Sequence, residues 1–433
     1  MKLKQNLKEL GLSIVSGEEN YVNRLNNINF TLEEAAKIQE AAEYVGVTSE
    51  FKKVIDTFNV PEGQTPAGFR IEFEVTSDKV LRANLVRDIS YDKNGIKRPT
   101  NLLFSADSAN PYEIAPIKDF IANLTCNPGI IYDLFINNPN ANIGHKFNTR
   151  DEVMEEIGRI LGPGADISVE LNDPFGKSDS EILEEAEKFR EMLSEYRVVI
   201  KVPHTGPVNA QNVKQLLEGD KKLDVPFNSP ATADAFRGHR LALMLKEHGF
   251  RVNFTLMFEP WQTALALQAR PYFINSFIRH RLMQSQKMQS YLNMYKTTQD
   301  DKILDDLRTF MFDKDYYASG EKISLTDAKR FAEKIIEKRQ FESPEGSDGL
   351  DGIRENLRWL RQSNLDDTRL IICSMEGPDN YPDIDRLLSS DEFSDMAGRV
   401  VLTAEPGYLA RFTSANQVTS YQRRFMNAAN GEK

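Results

Sequence analysis

Cysteine is nearly absent from this chain of 433 residues, which contains only Cys126 and Cys373. Two cysteines exclude both a disulfide framework and a four-cysteine zinc site. The five histidines show neither HExxH nor HxH spacing, so the common histidine-based metal motifs are absent as well. The sequence therefore contains no recognisable metal-binding motif.

Positive charge is also in deficit, with 54 Lys and Arg against 65 Asp and Glu and a net charge of −11. This balance argues against a general nucleic-acid surface, although it allows a local basic pocket. No apolar run approaches the roughly 20 residues that span a bilayer, and the N-terminus lacks the apolar core of a secretory signal. We expect an acidic, soluble, cytoplasmic protein without a nucleic-acid or membrane partner.

The first 98 residues differ in pattern from the rest of the chain. Thr31 and Glu34 form a capping box that predicts the start of a helix. Residues 69–75 alternate between apolar and polar side chains, which predicts a half-buried strand, and residues 80–89 are a candidate partner for it. We interpret residues 1–98 as an N-terminal α+β extension.

From residue 99 onward, short apolar runs alternate with helical patterns. Buried strands that alternate with helices are typical of parallel βα units. Eight units is the number in a (β/α)₈ TIM barrel, whose active site lies at the C-terminal ends of the strands; a doubly wound open sheet is the alternative. The eight runs lie at 102–104, 121–124, 167–171, 198–200, 252–258, 272–277, 370–373 and 400–402.

Two stretches of the predicted barrel are longer than βα connections need. They lie near 219–250 and 281–349 and contain additional helical patterns. The sequence thus predicts an α/β fold, with a barrel over 99–433 that carries two helical insertions.

One of the apolar runs contains a lysine. Lys201 follows Val198–Ile200 and precedes Val202, so it lies within a buried strand. Its stem can lie along apolar surface while its amine pairs with a carboxylate. Alternatively, burial lowers the pKa of the amine, so that it can attack a carbonyl and form a Schiff base. The residue types alone leave both roles open.

The segment Val198–Pro203 resembles the Schiff-base lysine strand of the transaldolase and fructose-6-phosphate aldolase family. Ser105–Ala109 resembles the first strand of that family, which ends in a catalytic aspartate. Leu124–Ile131 resembles its second-strand Thr-Thr-Asn-Pro-Ser pattern. The resemblance spans about residues 100–425, and the third, fifth and sixth strands are matched by 167–172, 253–258 and 274–277.

This resemblance implies Schiff-base chemistry that needs neither a metal nor a cofactor. Lys201 would attack the C2 carbonyl of a ketose, and Asp107 would accept the C4 hydroxyl proton as the C3–C4 bond breaks. Glu170 and Thr255 would hold a water that shuttles protons. A dihydroxyacetone unit would remain on Lys201 until it is transferred to an aldehyde or released by hydrolysis.

The resemblance also implies a sugar-binding set at the strand ends. Asn127 and Asn253 would position hydroxyl groups of the dihydroxyacetone unit, because amides donate and accept directed hydrogen bonds. The complete predicted set is Thr125, Asn127, Asn253, Asn275, Ser276, Arg279, Arg281 and Ser374.

The family has two phosphate-binding arginines, and this chain has other residues at both positions. A gap-free match puts His280 at the first position, flanked by Arg279 and Arg281, and Glu376 at the second. A carboxylate would repel a phosphate dianion. We expect weakened phosphate recognition or a substrate whose far end is not a simple phosphate, unless an arginine of an insertion compensates. The arginines considered for that replacement are Arg237 and Arg240.

The same residues also fit purely structural roles. Asp107 can cap a helix that begins near Pro111, and Glu170 can form an ordinary ion pair with Lys201. Gln262, which follows the fifth-strand match at 253–258 and belongs to the resemblance, also fits the polar face of a helix. The role of a strand-end turn residue is the alternative for Thr125, Asn127 and Thr255.

The predicted function is transaldolase-like transfer of a dihydroxyacetone unit from a ketose, phosphorylated or not, to an aldose. Glu170 favours transfer, because the aldolase branch of the family typically has a glutamine there. A class I aldolase for an unusual sugar and a non-catalytic sugar-binding barrel are the alternatives.

The sequence leaves open whether the protein forms a homo-oligomer. Residues 1–98 fit either a cover for the barrel bottom or a subunit contact.

Overall fold

Eight parallel strands close into a barrel in the computed structural model, which describes residues 4–58, 64–218 and 220–431. Each strand pairs with the next along the chain, and the last pairs with the first. The predicted (β/α)₈ barrel is therefore confirmed, and the open doubly wound sheet is excluded.

The N-terminal extension has an apolar core of its own, formed by side chains between Leu7 and Leu85. The predicted capping box is present: Thr31 and Glu34 bond each other's backbone N–H groups at the start of a helix. The predicted strand pairs antiparallel with its expected partner. The elements are β1 (Lys4–Asn6), β2 (Ser13–Ile14), α1 (Glu19–Val22), β3 (Asn29–Thr31), α2 (Leu32–Ala41), β4 (Tyr44–Val47), α3 (Ser49–Phe58), β5 (Phe69–Val75) and β6 (Val80–Arg87).

All eight predicted apolar runs form barrel strands. Most strands continue one to three residues beyond the predicted run at one end, because polar residues at the strand ends still take part in the ladder. The strands are β7 (Leu103–Asp107), β8 (Asn123–Thr125), β9 (Asp166–Glu170), β10 (Arg197–Pro203), β11 (Arg251–Met257), β12 (Phe273–Phe277), β13 (Arg369–Cys373) and β14 (Val400–Ala404).

Helices surround the barrel, and a π-helix at Gly129–Ile136 follows β8. None of the helices in the described ranges is both long and apolar enough to cross a membrane. The α-helices are α4 (Pro111–Ile114), α5 (Arg150–Leu161), α6 (Asp179–Met192), α7 (Val213–Leu217), α8 (Thr232–Ala235), α9 (Arg237–Glu247), α10 (Trp261–Gln268), α11 (Arg279–Thr298), α12 (Asp301–Asp313), α13 (Leu325–Lys338), α14 (Asp351–Gln362), α15 (Asn380–Leu388), α16 (Pro406–Arg411) and α17 (Asn416–Ala429).

Side-chain alternation divides each strand between the barrel interior and the helices. Inside, near the strand starts, an apolar layer is formed by Leu103, Val199, Phe273, Ile371 and Val401. Most inward positions further along the strands are polar, with Phe277 and Cys373 as apolar exceptions. The barrel thus has a closed apolar bottom and a polar mouth at the C-terminal strand ends.

The extension covers the bottom of the barrel. Ile89 packs into the apolar bottom layer, and Arg87 of β6 forms an ion pair with the fully buried Asp166 at the start of β9. Arg197 of β10 also binds Asp166, with 2.8 Å between its Nε and Oδ1, and donates to the carbonyl of Gly68 at 3.0 Å. Two roles were considered for residues 1–98, a cover for the barrel bottom and a subunit contact. These contacts fit the first role.

The two long connections differ in kind. Helices α11, α12 and α13, between 279 and 338, form a unit with its own apolar core around Leu307 and Met311. Helix α9 instead packs Leu241 and Leu245 into the main barrel core, so the structure corrects the expectation that all of 219–250 is inserted. Only the part before α9 is additional chain; Gly219 lies outside the described residues.

Candidate active site

Lys201 lies inside the barrel on β10, and only 3% of its surface is exposed. Its register partners are Glu170 on β9 and Asn253 on β11. The amine Nζ lies 3.0 Å from Oε2 of Glu170 and donates to the carbonyl of Cys126 at 3.0 Å. The apolar neighbours Ile200 and Val202 face the helices. The ion pair with Glu170, one of the roles left open by the sequence, is therefore present.

The charge state of this amine differs from the expectation of a lowered pKa. Burial alone lowers the pKa of Lys201, but the negative charges of Glu170 and Asp107 outweigh it and raise the pKa above its ordinary value. The amine is therefore an ammonium in the structure described here. It becomes a nucleophile only after a proton has moved to a nearby base, and Glu170 is within hydrogen-bond distance.

Asp107 ends β7 and is partly exposed at the barrel mouth. Burial raises the pKa of its carboxyl to about 6; Lys201 opposes this shift, whereas Glu405 and Glu170 add to it. The predicted capping role is not realised, because Asn110 accepts the Tyr112 N–H at the start of α4, at 3.0 Å. The Asp107 carboxyl therefore changes its charge close to neutral pH, and the charge of Lys201 acts on it.

Four further predicted residues turn polar side chains into the same interior. Their side chains are at most 2% exposed, and each contains one oxygen without a hydrogen-bond partner in the described structure. An unpaired buried acceptor or hydroxyl costs roughly 1–3 kcal/mol, so each such oxygen calls for an explanation, such as a role in binding or catalysis or a bound water. These oxygens belong to Thr125, Thr255, Asn253 and Asn275.

Two other predicted sugar-binding residues use their side chains elsewhere, and a third, Ser374, is hydrogen-bonded through its backbone. Ser276 faces outward, and its hydroxyl accepts from Asn356 of α14 at 2.9 Å. The side chain of Asn127 accepts the Ile130 N–H at 2.9 Å, which is the turn role considered for it. Ser374 has a left-handed backbone, with φ of 58°, and its carbonyl accepts the Arg279 N–H at 2.8 Å.

The two candidate phosphate arginines have different environments. Arg281 is 5% exposed and binds Asp351, with 2.7 Å between Nη2 and Oδ2, and Glu259 at 2.8 Å. It is therefore committed to a buried ion-pair network and is not available to a phosphate. Arg279 is 37% exposed, and its Nε lies 3.9 Å from Oε2 of Glu376.

The two arginines considered as replacements from the insertion form other contacts. Arg237 donates to the carbonyl of Pro174 at 2.6 Å and forms an ion pair with Asp179. Arg240 is exposed and, among the described residues, donates a side-chain hydrogen bond only to the carbonyl of Ala233, at 3.4 Å. Of the four arginines considered, the structure therefore favours Arg279, whose charge acts on Asp107 at the barrel mouth.

Glu405 is an exposed carboxylate near the site that the sequence reasoning missed. It follows β14 directly, and its charge acts on Asp107 at the barrel mouth. The sequence did contain an indication of Glu405: it follows the eighth apolar run at the same spacing at which Asp107 follows the first run. Gln262, by contrast, is structural: its Oε1 accepts the backbone N–H groups of Phe258 and Glu259 at the start of α10.

In the described part of the chain, no group of three or more His, Cys, Asp or Glu side chains is arranged to hold a metal ion. The polar mouth is instead composed of one lysine, three carboxyl groups and several hydroxyl and amide groups. Such a set suits a polyol with a carbonyl group, because the hydroxyls can be bound individually and the amine can react with the carbonyl.

Comparison with known protein families identifies one match. Residues 104–304 match the family model described as Transaldolase/Fructose-6-phosphate aldolase. The matched segment extends from β7 into α12 and includes the strands that carry Asp107, Glu170, Lys201 and Thr255. No curated protein sequence matches the chain.

Proposed function

We propose that this protein transfers a dihydroxyacetone unit from a ketose to an aldose through a Schiff base on Lys201, because residues 104–304 match the family model described as Transaldolase/Fructose-6-phosphate aldolase. The observation that carries the proposal is the buried Lys201 amine, with Glu170 at 3.0 Å and Asp107 at the same barrel mouth. A buried lysine surrounded by titratable carboxyls has both a nucleophile and proton acceptors.

The reaction begins with proton transfer from the Lys201 ammonium to Glu170. The neutral amine attacks C2 of the ketose, and the carbinolamine loses water to give an iminium. Glu170 and the buried hydroxyl of Thr255 hold the water that exchanges protons in these steps. The positive iminium nitrogen then withdraws electrons from the C3–C4 bond.

Cleavage follows when Asp107 accepts the proton of the C4 hydroxyl. The C3–C4 bond breaks, an aldehyde leaves, and the bonding electron pair remains as an enamine on Lys201. Addition of C3 to a second aldehyde returns the proton from Asp107 to the new hydroxyl group, and hydrolysis releases the product ketose. The inward amides of Asn253 and Asn275 are placed to bind hydroxyl groups of the three-carbon unit.

Covalent trapping tests this proposal. The protein is incubated with fructose, fructose 6-phosphate, sedoheptulose 7-phosphate or dihydroxyacetone, reduced with borohydride, and analysed by peptide mass spectrometry. We expect an adduct on the peptide that contains Lys201. Release of an aldehyde without an acceptor would favour the aldolase alternative. No adduct with any of the ketoses would contradict the catalytic proposal and favour a non-catalytic barrel.

The pH dependence of turnover should report the Asp107 carboxyl. Its pKa is about 6 in the free protein, and only the ionised form can accept the C4 hydroxyl proton. We expect kcat/KM for ketose cleavage to fall about tenfold per pH unit below pH 6 and to level off above it. In Asp107→Asn the rate should be low and this inflection absent. An inflection of the wild-type protein near pH 4 would contradict the assignment.

Glu376 should weaken the binding of a phosphate at Arg279. Replacing it by arginine changes a negative charge to a positive one beside Arg279, so the KM for fructose 6-phosphate should fall roughly tenfold, with kcat little changed. Glu376→Gln should give a smaller decrease, and the KM for unphosphorylated fructose is the internal control. Efficient use of fructose 6-phosphate by the unaltered protein would contradict this prediction.

A further inference from the structure

An open cavity of about 1030 Å³ lies between the helical insertion and the barrel mouth. We call it the insertion cavity. Its walls come from α10, α11 and α13, from the end of α12 and from the chain before α8. Pockets of this size are large enough for a drug-sized molecule. None of the proposed steps at Lys201 uses it.

Several aromatic side chains line the insertion cavity. They include Phe227, Phe258, Trp261, Tyr316 and Phe331. Trp261 is 55% exposed and Phe227 is 46% exposed, although rings of this size are usually more fully buried. The cavity therefore offers exposed ring faces on which a planar ligand can stack.

The deep charges of the cavity are already neutralised. Glu259 accepts from Arg281 at 2.8 Å and from Arg339 at 2.5 Å, and Asp351 binds Arg281 from the other side. The cavity rim differs, because Lys314, Lys334 and Lys338 have no carboxylate within ion-pair distance among the described residues. The carboxylate of Asp315 at the rim pairs with Lys222 at 3.3 Å.

Two lysines and two glutamates of helix α13 lie on different faces of the helix. Lys334 and Lys338 are four residues apart and face the insertion cavity with Phe331. Glu333 and Glu337 of the same helix line a groove on its other side. The Nζ of Lys338 lies 5.6 Å from the centre of the Trp261 ring. The cavity thus combines exposed aromatic rings with an excess of positive charge.

The insertion cavity shares a wall with the barrel mouth. Phe258 lines the cavity, and its ring centre lies 5.0 Å from that of Phe277, which ends β12. His280, at the start of α11, also lines the cavity. A ligand in the cavity would therefore be bound beside the strand ends.

From these features we infer that the insertion cavity binds an organic anion with an aromatic ring, such as an aryl phosphate or an aryl carboxylate. The rings of Trp261 and Phe227 stack on the aromatic part, and Lys334 and Lys338 bind the anionic group. Neither feature alone selects this class: exposed rings accept any apolar molecule, and exposed lysines accept any anion.

The experiment uses the fluorescence of Trp261 in the full-length protein. The chain has two tryptophans, and Trp359 does not line the cavity, so Trp359→Phe leaves Trp261 as the sole indole reporter. The probe is 4-nitrophenyl phosphate, with inorganic phosphate as a competitor and 4-nitrobenzyl alcohol as an uncharged analogue. We expect saturable quenching by 4-nitrophenyl phosphate, and at least tenfold weaker binding of each of the other two.

A matched pair of double variants tests the lysines. In the Trp359→Phe background, the double variant Lys334→Ala with Lys338→Ala should bind 4-nitrophenyl phosphate at least tenfold more weakly. Lys329→Ala with Arg330→Ala removes the same charge from the same helix outside the cavity and should change binding less than twofold. Equal weakening by both pairs, equal binding of inorganic phosphate, or quenching that does not saturate would overturn the inference. The readout is independent of activity at Lys201.

Discussion

Replacing Lys201 by methionine is expected to abolish the borohydride adduct and to lower the rate of ketose cleavage by at least about 10⁴-fold. Methionine has a similar length and fits a buried position, but it has no amine to form the iminium. Removing a covalent nucleophile costs about this much in enzymes that depend on one. The measurement is the single-turnover rate, together with the mass of the peptide that contains Lys201.

Two further variants separate chemistry from folding. Lys201→Arg keeps the positive charge beside Glu170 but cannot form a Schiff base, so its rate should be as low as that of Lys201→Met. Lys177→Met removes a lysine that is ion-paired with Glu185 at 2.7 Å, while Arg150 still pairs with Glu185 at 3.0 Å. Its rate should therefore remain within about twofold of that of the unaltered protein. An adduct that persists in Lys201→Met would show that another lysine reacts.

Replacing Asp166 by asparagine is expected to destabilise the protein by about 3–5 kcal/mol. Asp166 is fully buried and binds two arginines, Arg87 from the extension and Arg197 from β10. Breaking a buried ion pair leaves uncompensated charge in a low-dielectric environment, and that is the main cost. The midpoint of urea unfolding should decrease, and limited proteolysis should cleave the extension more rapidly than in the unaltered protein.

A surface ion pair provides the control for this prediction. Asp179 pairs with Arg237 and is 66% exposed, so Asp179→Asn should cost no more than about 1 kcal/mol. Equal destabilisation by the two variants would mean that Asp166 is not the attachment between extension and barrel.

The pH dependence of stability has a defined sign at Asp166. Burial raises the pKa of Asp166, but Arg197 and Arg87 outweigh burial and hold the pKa below its ordinary value. Its contribution to stability is therefore present above the ordinary carboxyl pKa and is lost as the pH falls through the lowered one. We expect Asp166→Asn to unfold with less pH dependence than the unaltered protein in the acidic range.

Local features were predictable because they depend on neighbours in the chain. The capping box of Thr31 and Glu34 needs only residues three apart. The eight apolar runs became strands because each is buried on both faces, as in other parallel sheets. Lys201 stood out for the same reason, since a charged residue interrupts an otherwise apolar strand.

Side-chain direction was harder to predict for residues at the strand ends. Asn275 and Ser276 are adjacent and both polar, yet one faces the interior and the other faces Asn356, 80 residues further along the chain. Arg279 and Arg281 likewise seemed equivalent. The start of α11 at Arg279 directs Arg281 toward Asp351, 70 residues away, where it is buried.

The sequence by itself determined the barrel, the strand that holds the lysine and the order of the polar residues along the chain, because each is encoded in short-range patterns of polarity. Only the tertiary structure decided the charge of the Lys201 amine. Burial, which the sequence suggested, lowers its pKa, whereas the carboxylates of Glu170 and Asp107 arrive from other strands and raise it. The net effect depends on distances between strands, and a one-dimensional pattern does not contain them.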